Sequence, residues 1–125
     1  SKVRTLIEMK KRPLKDVILM GFSQGAMMSM ELALNLKENV RGLVLMSGAL
    51  IDREKWVEKM PLRKGLRFFQ SHGGFDPVLP VEGARKLNSL MLENQWEGGY
   101  HEFDGGHEIP LPVLQDIQSF LKSLL

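Results

Sequence analysis

The apolar positions of this chain fall into two alternating patterns. Residues 17–20 (Val-Ile-Leu-Met) and 43–46 (Leu-Val-Leu-Met) are short, continuous apolar runs, as in parallel strands buried on both faces. Leu66, Phe68 and Phe69 mark a third strand over residues 66–70, and residues 100–103 a short fourth one after a Gly98-Gly99 turn. Between them the spacing is helical. Residues 2–12 place Val3, Leu6 and Ile7 on one face before Pro13 stops the helix. Residues 26–36 are apolar nearly all round, which predicts a largely buried helix. A short helix fits 52–59. Residues 81–94 are amphipathic, with Ala84, Leu87, Leu90 and Met91 inward. Residues 111–125 carry Leu114, Ile117, Leu121 and Leu124 on one stripe, and Pro112 suits the first turn. This alternation predicts an α/β fold of about four mostly parallel strands with flanking helices. No repeat, low-complexity segment or internal boundary interrupts it, so residues 1–125 read as one domain.

Composition narrows the function classes. A net charge of +2 over 125 residues gives no case for a nucleic-acid partner. Lys10-Lys11-Arg12 reads as a solvated helix end, where cations suit the dipole. The chain has no cysteine, which excludes a thiol nucleophile, a disulfide framework and a thiolate-bound metal. That usage fits a reducing compartment, and the expected location is cytoplasmic. No apolar run is long enough to span a bilayer.

The candidate chemistry gathers at strand ends. Gly21-Phe22-Ser23-Gln24-Gly25 stands between the first strand and the apolar helix, the context of a nucleophile elbow. Ser23 is expected in a strained backbone conformation, with Gly21 and Gly25 at points where a Cβ would clash as strand and helix pass. Open α/β sheets carry their active residues beyond the carboxyl ends of strands. Asp76 follows the third strand and His107 the fourth, giving the order Ser, Asp, His of α/β-hydrolases. In that reading Ser23 is the nucleophile, His107 its general base and Asp76 the group that orients the imidazole. The backbone N–H of Gln24 is an oxyanion donor.

Each residue also has a plainer reading. Ser23 could cap the following helix, and Asp76 could form an Asx turn before Pro77. Asp52 and Asp104 are rival acids. His72 precedes Asp76 and reads as a hydrogen-bonded turn residue; His101 reads as a strand residue. Gly105-Gly106 are expected to give the His107 loop an unusual shape. His101, Glu102, Asp104, His107 and Glu108 could be grouped as metal ligands, but strand alternation points neighbours to opposite faces, so no metal or cofactor is expected. Trp56 and Met60 are candidate substrate-lining residues, with core packing the alternative.

Together the motifs resemble the phospholipase/carboxylesterase family of α/β-hydrolases, which includes acyl-protein thioesterases. Gly-Phe-Ser-Gln-Gly with Ala26 is similar to its elbow. His72-Gly73, Asp76, Val78 and Pro80 are similar to its acid loop, and Gly106-His107-Glu108-Ile109 to its histidine loop. The resemblance implies a cofactor-free esterase acting on a small acyl ester or thioester, with lysophospholipid or S-acylated protein as substrate in some members. It also implies strands before the elbow, with a His-Gly loop supplying a second oxyanion donor. The expectation is therefore the C-terminal portion of such a fold, incomplete at the N-terminus. The first strand would then have an open edge able to pair with a second copy of the chain or another partner. Ester, thioester and amide substrates are not separated by these residues.

Overall fold

The computed structural model describes residues 13–125, and the expected helix over 2–12 lies outside the described residues. Four strands, β1 (Ile18–Phe22), β2 (Gly42–Met46), β3 (Arg67–Gly73) and β4 (Glu97–Phe103), form one sheet in the order β1-β2-β3-β4. Every pairing is parallel. The helices are α1 (Gln24–Asn35), α2 (Arg53–Lys59), α3 (Val81–Glu93) and α4 (Leu111–Ser123), with 3-10 turns at Leu14–Asp16 and Met60–Arg63.

Strand order equals chain order, so every crossover steps the same way across the sheet. Right-handed crossovers then put their helices on one face. That face holds the larger core. Leu19, Leu43, Leu45 and Phe68 pack there with Met30, Ala33 and Leu34 of α1, Trp56 of α2, and Leu87, Leu90 and Met91 of α3. The opposite face has a smaller cluster in which Val44, Met46 and Phe69 meet Val113 and Ile117 of α4. Alternation along β2 sorts Leu43 and Leu45 to one face and Val44 and Met46 to the other. β1 is an edge strand among the described residues, and its Met20 is 45% exposed.

Several element limits differ from the sequence expectation. β3 continues past Gln70 through Ser71 and His72, both buried, so His72 is a strand residue rather than a turn residue. Gly98 and Gly99 lie inside β4, not in a turn before it. A Cβ on Gly98 would stand 2.8 Å from the carbonyl carbon of Phe68, so glycine there serves close approach of two strands. The reversal before β4 falls at Gln95, with φ 65°. α1 is less completely buried than its composition suggests: Met30 is buried, but Met28 is 70% exposed.

Candidate active site

A parallel sheet gathers the carboxyl ends of its strands on one edge, and three chain segments converge there. The first is the elbow. Ser23 has φ 58° and ψ −117°, a conformation costly for a residue with a Cβ. It is held by a hydrogen bond from the Ser23 N–H to the Met46 carbonyl at the end of β2, 2.8 Å. A Cβ on Gly21 would lie 2.6 Å from Ala26 N and nearer still to the Gly25 carbonyl. Glycine at 21 is therefore a steric requirement. Gly25 departs from expectation, since a Cβ there meets nothing within 4 Å among the described residues. Its part is to present the backbone that Gly21 approaches.

The second and third segments are the loops after β3 and β4, which are tied together. Gly74 N–H donates to Phe103 O and Phe75 N–H to Gly105 O, each at 2.9 Å. A Cβ on Gly73 would stand 2.5 Å from Gly105 O, so glycine at 73 lets the loops touch. Neither Gly105 nor Gly106 has a positive φ. Their carbonyl oxygens are what a Cβ on Gly73 would meet.

The three side chains meet. His107 Nε2 is 2.9 Å from Ser23 Oγ, and His107 Nδ1 is 2.7 Å from Asp76 Oδ2. Ser23 precedes α1 but makes no side-chain capping bond, so its hydroxyl is directed to the imidazole instead of the helix. The Asp76 carboxylate makes two sets of contacts at once. Oδ1 accepts N–H bonds from Val78 and Leu79, 2.8 Å each, in an Asx-type turn, while Oδ2 faces His107. Burial works against the Asp76 charge. The Leu79 N–H, His107 and the Val78 N–H outweigh it and hold the carboxyl below the ordinary aspartate range. Phe22 packs its ring against His107, centroids 4.9 Å apart, a contact not foreseen from sequence although Phe22 directly precedes Ser23.

The rival residues lie elsewhere. Asp52 flanks α2 and is 3.9 Å from Lys55; Asp104 is exposed. His101 stacks on Phe69 at 4.3 Å and is 3.7 Å from Asp116 of α4. Trp56 and Met60 are buried in the larger core. The Trp56 indole N–H donates to Glu31 at 2.7 Å, and Met60 O accepts from the Trp96 indole at 3.0 Å. Their contacts are those of packing. Phe75 and Val78, flanking the Asp76-Pro77 step, are the exposed apolar residues of the acid loop. A cavity of about 720 Å³ lies between β3, β4 and α4, lined by Arg67, Phe69, His101, Asp116 and Phe120, and includes none of the three site residues. Gln24 and Gly25 open α1, where amide N–H groups have no intrahelical acceptor and the helix dipole is positive.

Parallel α/β architecture with a serine elbow at a strand end defines the α/β-hydrolase class. The profile of the Phospholipase/Carboxylesterase family matches residues 2–125, and the chain belongs to that family. It is 32% identical over 119 residues to acyl-protein thioesterase 1 of Eremothecium gossypii, covering 90% of this chain and 49% of that protein. To acyl-protein thioesterase 1 of Candida albicans it is 27% identical over 119 residues, covering 90% and 52%. The chain thus spans about half the length of the curated relatives it matches. Among solved structures, esterase PE8 superposes with a TM-score of 0.88 at 28% identity, covering 98% of this chain and 56% of that one. SOBER1 of Arabidopsis thaliana, at 20% identity, shares the fold with a TM-score of 0.85, covering 98% and 61%.

Proposed function

We propose that this chain carries the catalytic residues of a serine esterase that hydrolyses carboxylic esters or thioesters through an acyl-enzyme on Ser23. The observation behind the proposal is the continuous hydrogen-bond chain from Ser23 Oγ through His107 to Asp76, built from three separate strand ends. His107 Nε2 accepts the Ser23 proton as Oγ attacks the acyl carbonyl. It returns that proton to the leaving alcohol or thiol. Water then repeats the sequence on the acyl-enzyme, releasing the acid and restoring Ser23. Asp76 keeps the proton of the resting imidazole on Nδ1 and stabilises the imidazolium. The Gln24 N–H at the start of α1 donates to the oxyanion. Family membership and the names of the relatives support acyl substrates, including S-acylated protein; exposed Phe75 and Val78 beside Asp76 suit an apolar acyl group. The working location under this reading is the cytoplasm.

The test is turnover of p-nitrophenyl acetate and of an acyl-thioester by protein carrying this chain, alongside Ser23→Ala. Hydrolysis abolished by Ser23→Ala supports the reading. Hydrolysis unchanged by it would remove Ser23 from the mechanism. A second reading has its own observation, the edge position of β1 among the described residues, with half-exposed Met20. Under it, the chain binds a partner or a second copy by strand pairing. Sedimentation at increasing concentration decides: a strictly monomeric chain excludes the homodimer.

A further inference from the structure

His72 is the one buried imidazole among the described residues that the proposed reaction does not use. It is fully buried in β3, and its Nε2 lies 2.7 Å from Leu79 O and 3.4 Å from Asp76 Oδ2. A carbonyl can only accept, so Nε2 carries the proton. Nδ1 has no hydrogen-bond partner among the described residues. A half-satisfied imidazole is a poor core filler, because a buried polar atom without a partner costs free energy that an apolar side chain of similar size avoids. What this side chain offers in return is its N–H, which reaches the two ends of the Asp76-to-Leu79 turn.

The turn is closed from both sides. Leu79 gives its N–H to Asp76 Oδ1 and takes the His72 N–H on its carbonyl. Asp76 Oδ2, the oxygen 2.7 Å from His107, also lies 3.4 Å from His72 Nε2. One buried strand residue thus meets both ends of the turn that carries the carboxylate. On its other side His72 pairs in register with Glu102, whose carboxylate is engaged by Arg85 and Tyr100.

We infer that His72 is a positioning residue: its Nε2–H clamps the Leu79 carbonyl and so aims the Asp76 carboxylate at His107. The inference rests on the reading of Asp76 as the acid of a serine esterase. His72 touches no reacting atom, and its effect is transmitted wholly through the acid loop.

The test uses protein carrying the full chain, with wild type, His72→Leu and His72→Gln. Leucine fills space without a donor, whereas glutamine restores an N–H within reach of Leu79 O. Kinetics with p-nitrophenyl acetate are read beside thermal melts. With the carboxylate misplaced by about 1 Å, kcat of a folded His72→Leu should fall by roughly 10–100-fold with KM within about twofold. His72→Gln should recover most of that loss. A folded His72→Leu with wild-type kcat would overturn the inference, as would a folded His72→Gln no better than leucine. If leucine does not fold, the glutamine variant decides alone: near-wild-type kcat supports the clamp, and a kcat as low as that of Asp76→Asn rejects it. Loss of folding in both variants would make His72 a purely structural residue and would likewise reject it. Failure of the underlying reading looks different, because wild type itself would then show no Ser23-dependent turnover.

Discussion

Gly21→Ala isolates the steric basis of the elbow. The added Cβ would lie 2.6 Å from Ala26 N, roughly 0.8 Å short of ordinary van der Waals contact, and still nearer the Gly25 carbonyl. All of these neighbours are backbone, so no side chain can rotate away. Relief requires β1 and α1 to separate, and Ser23 lies between them. A shift of that size would stretch the 2.9 Å separation of Ser23 Oγ and His107 Nε2 beyond hydrogen-bonding range. Overpacking of this kind costs about 1–3 kcal/mol, and misplacing a nucleophile by about 1 Å costs on the order of 10²-fold in rate. Gly25→Ala is the control, because its Cβ meets nothing within 4 Å among the described residues. Alanine also favours a helix over glycine by about 1 kcal/mol, so that variant should be at least as stable as wild type. Denaturant melts and p-nitrophenyl acetate kinetics read both effects. Wild-type stability and kcat in Gly21→Ala would refute the steric argument. So would a Gly25→Ala variant as unstable as Gly21→Ala.

Other expectations follow from the same geometry. Asp76→Asn should lower kcat by roughly 10⁴-fold at nearly unchanged KM, since an amide no longer selects the Nδ1–H tautomer of His107; steady-state kinetics check it. Because the Asp76 carboxyl is held below its ordinary value, its ionisation stabilises the fold above the unfolded aspartate pKa of about 3.9 and loses that effect as pH falls through the lower folded value. Melting temperatures taken between pH 2 and 5 should therefore fall less steeply with acid in Asp76→Asn than in wild type. Trp56→Phe removes the indole bond to Glu31 and some core volume, so it should lower stability by about 1–2 kcal/mol and leave KM unchanged. A KM change without a stability loss would return Trp56 to the substrate pocket.

The parts of this molecule that were legible in its sequence are those where one residue type has one physical use. Apolar runs at 17–20 and 43–46 read as buried strands; both form strands, but only β2 is buried throughout, while edge strand β1 leaves Met20 45% exposed. Ser23, Asp76 and His107 stood out because each follows a strand, and the structure brings them within 2.9 Å of one another in sequence along the hydrogen-bond chain. The rest was hidden where chemistry and position disagree. Ser71 and His72 look like the residues just after a strand but are buried and continue it. Gly98-Gly99 looks like a turn, yet both lie inside β4, and glycine is needed at 98 so that β4 can lie against Phe68. Trp56 and Met60 follow a strand end, as site residues do, but fold back under α1. His72 could not be assigned by order alone, since its partner Leu79 meets it only through the turn that Asp76 closes.

The central claim is that Ser23 is a nucleophile activated by His107. Incubating protein that carries this chain with a fluorophosphonate and mapping the adduct by peptide mass spectrometry tests it most directly. One phosphonyl group on Ser23, lost in Ser23→Ala and strongly slowed in His107→Ala, is the predicted result. A folded wild-type protein left unmodified, or modified at another residue, would contradict it.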